Sequence, residues 1–275
     1  MKFKHLFTLV LTVVLVSACK TSPFTGKKTL NFVSNDQLFP LAFQQYDQFL
    51  SENKVVNETS DAEMVKRVGQ KIAVAAERYM TALGHPGYLT DYKWEYNLVD
   101  DPAINAWAMP GGKIVVYTGI LPVTQTEKGL AMVMGHELAH ALADHGAQRM
   151  SAGQLQQYGG LAVAVGTGVS GQTAEQQQAW MQLYGVGSQV AGMLPFSRSH
   201  ETQADEIGIV LAAIAGYDPY EAANLWRRMK AASNGQAPPQ ILSTHPSNDT
   251  RIANLTAKAP KAVEEAKKFG VTTFN

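Results

Sequence analysis

Two histidines four residues apart, with a glutamate directly after the first, set the strongest constraint on this chain. The pattern is His136-Glu137-Leu138-Ala139-His140. On a helix, positions i and i+4 share one face, so both imidazoles can reach a single ion, and neutral imidazole suits zinc. Glu137 points one position round and can reach a water beside that ion as a general base and then an acid. Thr124-Gln125-Thr126-Glu127 reads as a capping box, which predicts a long helix running to about Asp144. Leu138, Ala139, Ala141 and Leu142 make this helix apolar around its histidines, so the fold must bury it and still leave an opening at the metal face.

A catalytic zinc takes three protein ligands and keeps a fourth position open. The HExxHxxGxxH extension is excluded, because Ala143 and Gly146 stand at its glycine and third-histidine positions. The segment Ser197 to Asp205 offers another solution. Glu201 and Asp205 are four apart on a predicted helix. Glu201 can be the third ligand of one Zn2+ per chain. Asp205 can accept a hydrogen bond from the remote N–H of a ligand histidine and fix its tautomer. His145 reads as a capping or packing residue at the helix end, and His200 as exposed.

Around this centre the pattern predicts helices at about Asp36–Ser51 and from Ser60, the latter opened by a Ser60-Asp61-Ala62-Glu63 capping box and stopped at Gly84. The period then changes to two at Trp94, Tyr96 and Leu98, which predicts a strand. A second extended segment, Ile104 to Met109, turns through Pro110-Gly111-Gly112 into Lys113 to Tyr117, a hairpin signal. Helices follow at about His200–Ala215 and Pro219–Ala232, then a Pro-rich loop, a His245-Pro246 turn and two short C-terminal helices. The expected class is α+β: a mainly helical zincin-type peptidase domain with a small sheet flanking the HExxH helix.

The N-terminus sets apart a different kind of segment. Lys2 and Lys4 precede the apolar run Leu6 to Val16, and small residues lead to Cys19, the single cysteine. This has the layout of a secretory signal peptide at 1–18. It resembles a lipobox in which Cys19 is lipidated, with 19–33 as a tether and 34–275 as the peptidase domain. Lys20 in place of an aspartate points to an exported protein, lipid-anchored in the periplasm at the outer membrane. Lysine plus arginine and aspartate plus glutamate number 23 each, which gives no reason for a nucleic-acid partner. Gly166-Thr167-Gly168-Val169-Ser170-Gly171 matches a dinucleotide fingerprint, but no acidic residue lies between Gln176 and His200, so no nucleotide is expected. Residues 149–193, rich in Gly, Ala and Gln, read as a helical hairpin or cover.

Four motifs, in order from Asn105 to Arg251, carry a resemblance. They are Asn105-Ala106-Trp107-Ala108-Met109-Pro110-Gly111-Gly112, the HExxH with His145-Gly146, Glu201-x-x-Ala204-Asp205, and Ser243-Thr244-His245-Pro246 with Arg251. The chain resembles the gluzincin family of HtpX, the type I CAAX prenyl endopeptidase and the mitochondrial Oma-type protease, and within it the periplasmic lipoprotein branch of BepA and LoiP. It lacks the spanning helices of the first two and the repeat domain of BepA. The resemblance implies a zinc endopeptidase of the cell envelope acting on misfolded or misassembled proteins. A protease-like chaperone that binds clients with little cleavage is the rival. Asn105, Ala106, Trp107 and Ala108 are expected to form an exposed sheet edge that pairs with substrate backbone. The resemblance places His245 beside the zinc. There it would either stabilise the oxyanion or occupy the fourth position and hold a resting enzyme closed.

Overall fold

The computed structural model describes residues 19–31, 33–152, 197–232, 240–245 and 249–275. The signal-like segment 1–18, the glycine-rich fingerprint at 166–171, most of the 149–193 cover and the loop at 233–239 lie outside the described residues.

The elements follow in chain order. Strands β1 (Cys19–Thr21) and β2 (Lys28–Leu30) precede helix α1 (Asn35–Glu52). Strand β3 (Val55–Val56), α2 (Ser60–Ala82), β4 (Glu95–Val99), β5 (Ala106–Met109) and β6 (Lys113–Tyr117) come next. Helices α3 (Leu121–Thr124), α4 (Glu127–Leu142), α5 (Arg198–Ile214), α6 (Glu221–Ala232), α7 (Gln240–Thr244) and α8 (Asp249–Lys267) complete the list. A further helical stretch begins at 145. This is a mainly helical α+β arrangement with a small sheet beside the HExxH helix, the expected class.

The main sheet has the order β3-β4-β6-β5, with β4 and β6 parallel and the other pairs antiparallel. Side chains alternate faces along a strand. Tyr96, Leu98, Ala106, Ala108, Ile114 and Val116 enter the large core with α2 and α4. Val99, Trp107, Met109, Val115 and Tyr117 pack on the other face against Tyr46 and Phe49 of α1. Both faces are therefore covered, which explains why β5 and β6 read as nearly unbroken apolar runs. The hairpin turn needs Gly111 and Gly112, at φ +83 and +89, a region that costs residues with a Cβ.

Helix α4 lies at the centre and packs on α5, α2, α6 and the sheet's β5. Every residue from Gly129 to Leu142 is buried, as suits a helix apolar all round. Its contact with α5 is unusually close. A Cβ at Gly208 would sit 2.8 Å from the backbone nitrogen of His136, and one at Gly135 would sit 2.8 Å from the Gly208 carbonyl oxygen. Backbone meets backbone there, and this places the acidic face of α5 against the histidines of α4.

Several boundaries differ from expectation. The cap of α2 is Thr59, whose hydroxyl accepts from Ala62 N, and the cap of α4 is Thr126, which accepts from Gly129 N. In both places the sequence holds two candidate hydroxyls one or two positions apart, and only the one outside the helix can cap it. Residues 19–33, expected as a tether without regular structure, contain the β1–β2 pair. The C-terminus holds a five-residue helix and one 19-residue helix, in place of two short ones, because α8 continues through Pro260.

The start of α4 is tied down by charge. Glu127 receives hydrogen bonds from Arg67 at 2.6 and 3.0 Å, from Lys71 at 3.3 Å and from the Tyr217 hydroxyl at 2.7 Å. Hydrogen bonding to Arg67 leads the causes that lower its pKa from 4.5 to about 2. A carboxyl depressed in the folded state adds stability above its unfolded pKa and loses it as pH falls through the folded one. Glu127→Gln is expected to cost about 1 kcal/mol at neutral pH, the scale of a solvated charge network at a helix N-terminus. Denaturant unfolding of parent and variant should converge as pH falls from 4.5 toward 2; a gap that persists at pH 2 would contradict this.

Candidate metal centre

The close packing of α4 on α5 gathers four side chains. His136 and His140 project from α4, Glu201 from the first turns of α5, and His245 from the end of α7. Their donor atoms all lie within 4.8 Å of one another, and all four residues are buried. His136 Nε2 and His140 Nε2 are 3.1 Å apart. Glu201 Oε1 stands 3.3 Å from His140 Nε2 and 2.8 Å from His245 Nδ1, while Glu201 Oε2 is 3.6 Å from His136 Nε2. His245 Nδ1 is also 3.3 Å from His136 Nε2. His245 thus sits inside the donor set.

Glu137 shares the pocket without belonging to the donors. Its Oε1 is buried and has no hydrogen-bond partner among the described residues; His245 Nε2 is 3.6 Å away. A carboxylate oxygen withdrawn from water without a partner is costly, and burial raises the Glu137 pKa. That cost is met if a polar guest occupies the space in front of it.

Asp205, one turn on from Glu201, lies behind His136. Its Oδ1 is 3.0 Å from His136 Nδ1. Arg251, from α8, donates to both Asp205 oxygens at 2.7 and 2.8 Å, lies 2.9 Å from Glu201 Oε2 and donates to the His245 carbonyl at 3.3 Å. The guanidinium stacks 3.4 Å over the Trp226 ring. One arginine therefore braces Asp205, Glu201 and the backbone at His245.

The electrostatics agree with a site for a cation. Burial would raise Glu201, but the three imidazoles beside it hold its carboxylate well below the usual range. Burial and Arg251 push His136 down, yet hydrogen bonds to Asp205 and Glu201 win and raise it to about 9. Burial lowers His140, which keeps it neutral as ligation requires. Three imidazoles and a carboxylate whose donor atoms crowd together in this way are a donor set that fits zinc.

The residues expected at the substrate edge are placed differently. β5 is the outer strand of the sheet, but Asn105, Ala106, Trp107 and Ala108 are all buried. The hairpin signal that marked this strand could not show that α1 and α4 cover both its faces. His200, expected to be exposed, is half-buried and lies flat on His145, ring centroids 4.3 Å apart. Arg251, part of the fourth motif, was given no role in the site, and Trp226 was missed, since nothing in its spacing marked it.

Residues 60–259 match the profile of Peptidase family M48. The chain is 33% identical over 245 residues to the mitochondrial metalloendopeptidase OMA1 of Schizosaccharomyces pombe, covering 87% of this chain and 66% of that protein. It is 27% identical over 264 residues to the human mitochondrial metalloendopeptidase OMA1, covering 94% of this chain and 49% of that protein. With the beta-barrel assembly-enhancing protease of Escherichia coli it shares 29% identity over 182 residues, 64% of this chain and 37% of that protein. The chain thus spans about half to two thirds of the mitochondrial relatives.

These relatives overturn the expected location at the periplasmic outer membrane, because mitochondrial proteins match the larger share of the chain. A basic start followed by an apolar run is a compositional pattern and does not by itself encode a destination. Among the described residues no helix is long and apolar enough to cross a membrane.

Proposed function

The chain belongs to peptidase family M48, and on that premise we propose that it is a zinc-dependent endopeptidase acting on unfolded or misassembled protein chains. The reading rests on one observation above all: the buried donor set of His136, His140, Glu201 and His245 lies beside a Glu137 oxygen that has no hydrogen-bond partner among the described residues. His136 and His140 would bind zinc through Nε2, with Glu201 as the third ligand. Bound zinc supplies Lewis acidity, which eases the ionisation of water and polarises a peptide carbonyl.

The proton work falls to Glu137. It takes a proton from water as the water oxygen bonds to the carbonyl carbon, and it delivers that proton to the amine nitrogen as the C–N bond breaks. Its buried position and raised pKa suit the second role, since a carboxyl that holds a proton can also give it up. Asp205 accepts from His136 Nδ1–H and so leaves His136 Nε2 facing the donor set, where it would hold the metal. A pure binder of client proteins would need no base at this position, which favours the enzyme over the chaperone rival. Extended substrate segments would enter beside β5, where backbone pairing is independent of sequence and therefore suits unfolded chains.

His245 acts as a plug at rest. With its Nδ1 inside the donor set it takes the place that substrate and water need, and Arg251 steadies the backbone carrying it. Purified protein is expected to cleave casein at a low rate, to lose that rate on chelation and to regain it with zinc. His245→Ala should raise the basal rate and increase self-cleavage. A fall of about 10²- to 10³-fold with metal retained would instead assign His245 to the oxyanion. No chelator-sensitive cleavage in parent or variant would overturn the enzyme reading.

A further inference from the structure

His140 shows one ring nitrogen to the donor set and the other to His145. The two Nδ1 atoms of His140 and His145 are 3.0 Å apart. The far nitrogen of His145, Nε2, is 2.9 Å from Gln203 Oε1. His145 is fully buried, packed flat against His200 with 15° between the ring planes. Backbone geometry brings it there. Asp144 adopts φ +56 just after α4, so the chain turns sharply and the ring five positions after His140 folds back onto it. Lys20 holds the Asp144 carboxylate at 2.7 Å.

With the Gln203 oxygen facing His145 and His145 neutral, the hydrogens along this row have one arrangement. An amide oxygen only accepts, so His145 Nε2 carries the hydrogen and donates to Gln203 Oε1. A neutral His145 then has a bare Nδ1, which accepts from His140 Nδ1–H. His140 Nε2 is left with its lone pair, and that atom faces Glu201 and His136. If the Gln203 amide were reversed, its N–H would donate to His145 Nε2. The His145 hydrogen would then lie on Nδ1 and force the His140 hydrogen onto Nε2, where no metal could bind. The metal-competent tautomer of His140 and the amide orientation at Gln203 imply each other.

We propose that His145 and Gln203 form a relay that fixes the tautomer and ring direction of His140 and thereby sets the metal affinity of the centre, making His145 a positioning residue. The relay is to His140 what Asp205 is to His136. It rests on the metallopeptidase reading, because it needs a metal at His140 Nε2. It also gives a task to two residues that the hydrolytic steps do not use.

The experiment measures zinc affinity by competition with a chromophoric chelator, together with the melting temperature of each metal-free protein. Four proteins are compared: parent, His145→Leu, His145→Asn and Gln203→Leu. Loss of an outer hydrogen-bond partner of a metal-bound histidine typically weakens metal binding 10- to 100-fold. That loss is expected in His145→Leu and in Gln203→Leu, with the metal-free melting temperature of Gln203→Leu unchanged. Asparagine places an acceptor oxygen near the position of Nδ1, so His145→Asn should return most of the affinity. If the buried His145→Leu fails to fold, the half-buried Gln203 decides the matter. Parental zinc affinity in Gln203→Leu, or His145→Asn binding no more tightly than His145→Leu, would overturn the relay alone. A parent that binds no stoichiometric zinc would overturn the metal reading and the relay together.

Discussion

Glu137→Gln is expected to keep its metal and lose turnover. Glutamine matches glutamate in length and shape and adds no bulk to a pocket where every neighbour is buried. Neither its oxygen nor its NH2 can take a proton from water at neutral pH. General-base catalysis of this kind typically contributes about 10²- to 10⁴-fold, so kcat on a quenched peptide should fall by that factor. Zinc per chain, measured by elemental analysis, should stay near the parent value, because Glu137 is not among the donors. The Glu137 Oε1 makes no hydrogen bond among the described residues, so the substitution breaks none at that atom and the fold should be unchanged. Near-parental kcat would sink the assignment of Glu137 as base. The same variant separates the chaperone reading, in which it would still rescue clients.

The second large effect concerns His140. His140→Ala is expected to abolish both activity and stable metal binding. A catalytic zinc depends on three protein ligands, and the substitution removes one directly, so affinity should fall by more than the 10- to 100-fold typical of an outer partner. Removing the ring also frees His145 Nδ1 from its partner at 3.0 Å. Full zinc occupancy in this variant, by elemental analysis after dialysis, would count against His140 as a ligand. Occupancy that falls without loss of activity would count against zinc as the working metal.

What could be read from the chain and what could not divides along a physical line. His136, His140, Glu201 and Asp205 were legible because helical spacing is local: four residues fix a common face whatever the tertiary fold. The strand and hairpin at 95–117 were legible for the same reason, from a period of two and two glycines at a turn. The caps slipped because Ser60 and Thr124 are chemically as good as Thr59 and Thr126, and only the path of the chain chooses between them. Arg251 over Trp226, and His145 against His140 and Gln203, join residues from different elements. No spacing rule reaches across them. One of the two C-terminal helices expected to be short runs through Pro260, because burial of Ala259 and Ala262 beside it holds α8 through the lost hydrogen bond.

The glycine contact between α4 and α5 has a consequence for tolerance to change. Where side chains set the gap between two helices, every repacking of the core alters that gap a little. Here the gap is set by main chain touching main chain at Gly135 and Gly208, and the proposed ligands His136 and Glu201 hang from either side of that stop. Substitutions elsewhere in the core can loosen or tighten their own surroundings while the span between those two side chains stays as it was. The geometry of the proposed centre is thus insulated from drift in most of the protein and exposed to it at two positions, both of which carry no side chain at all.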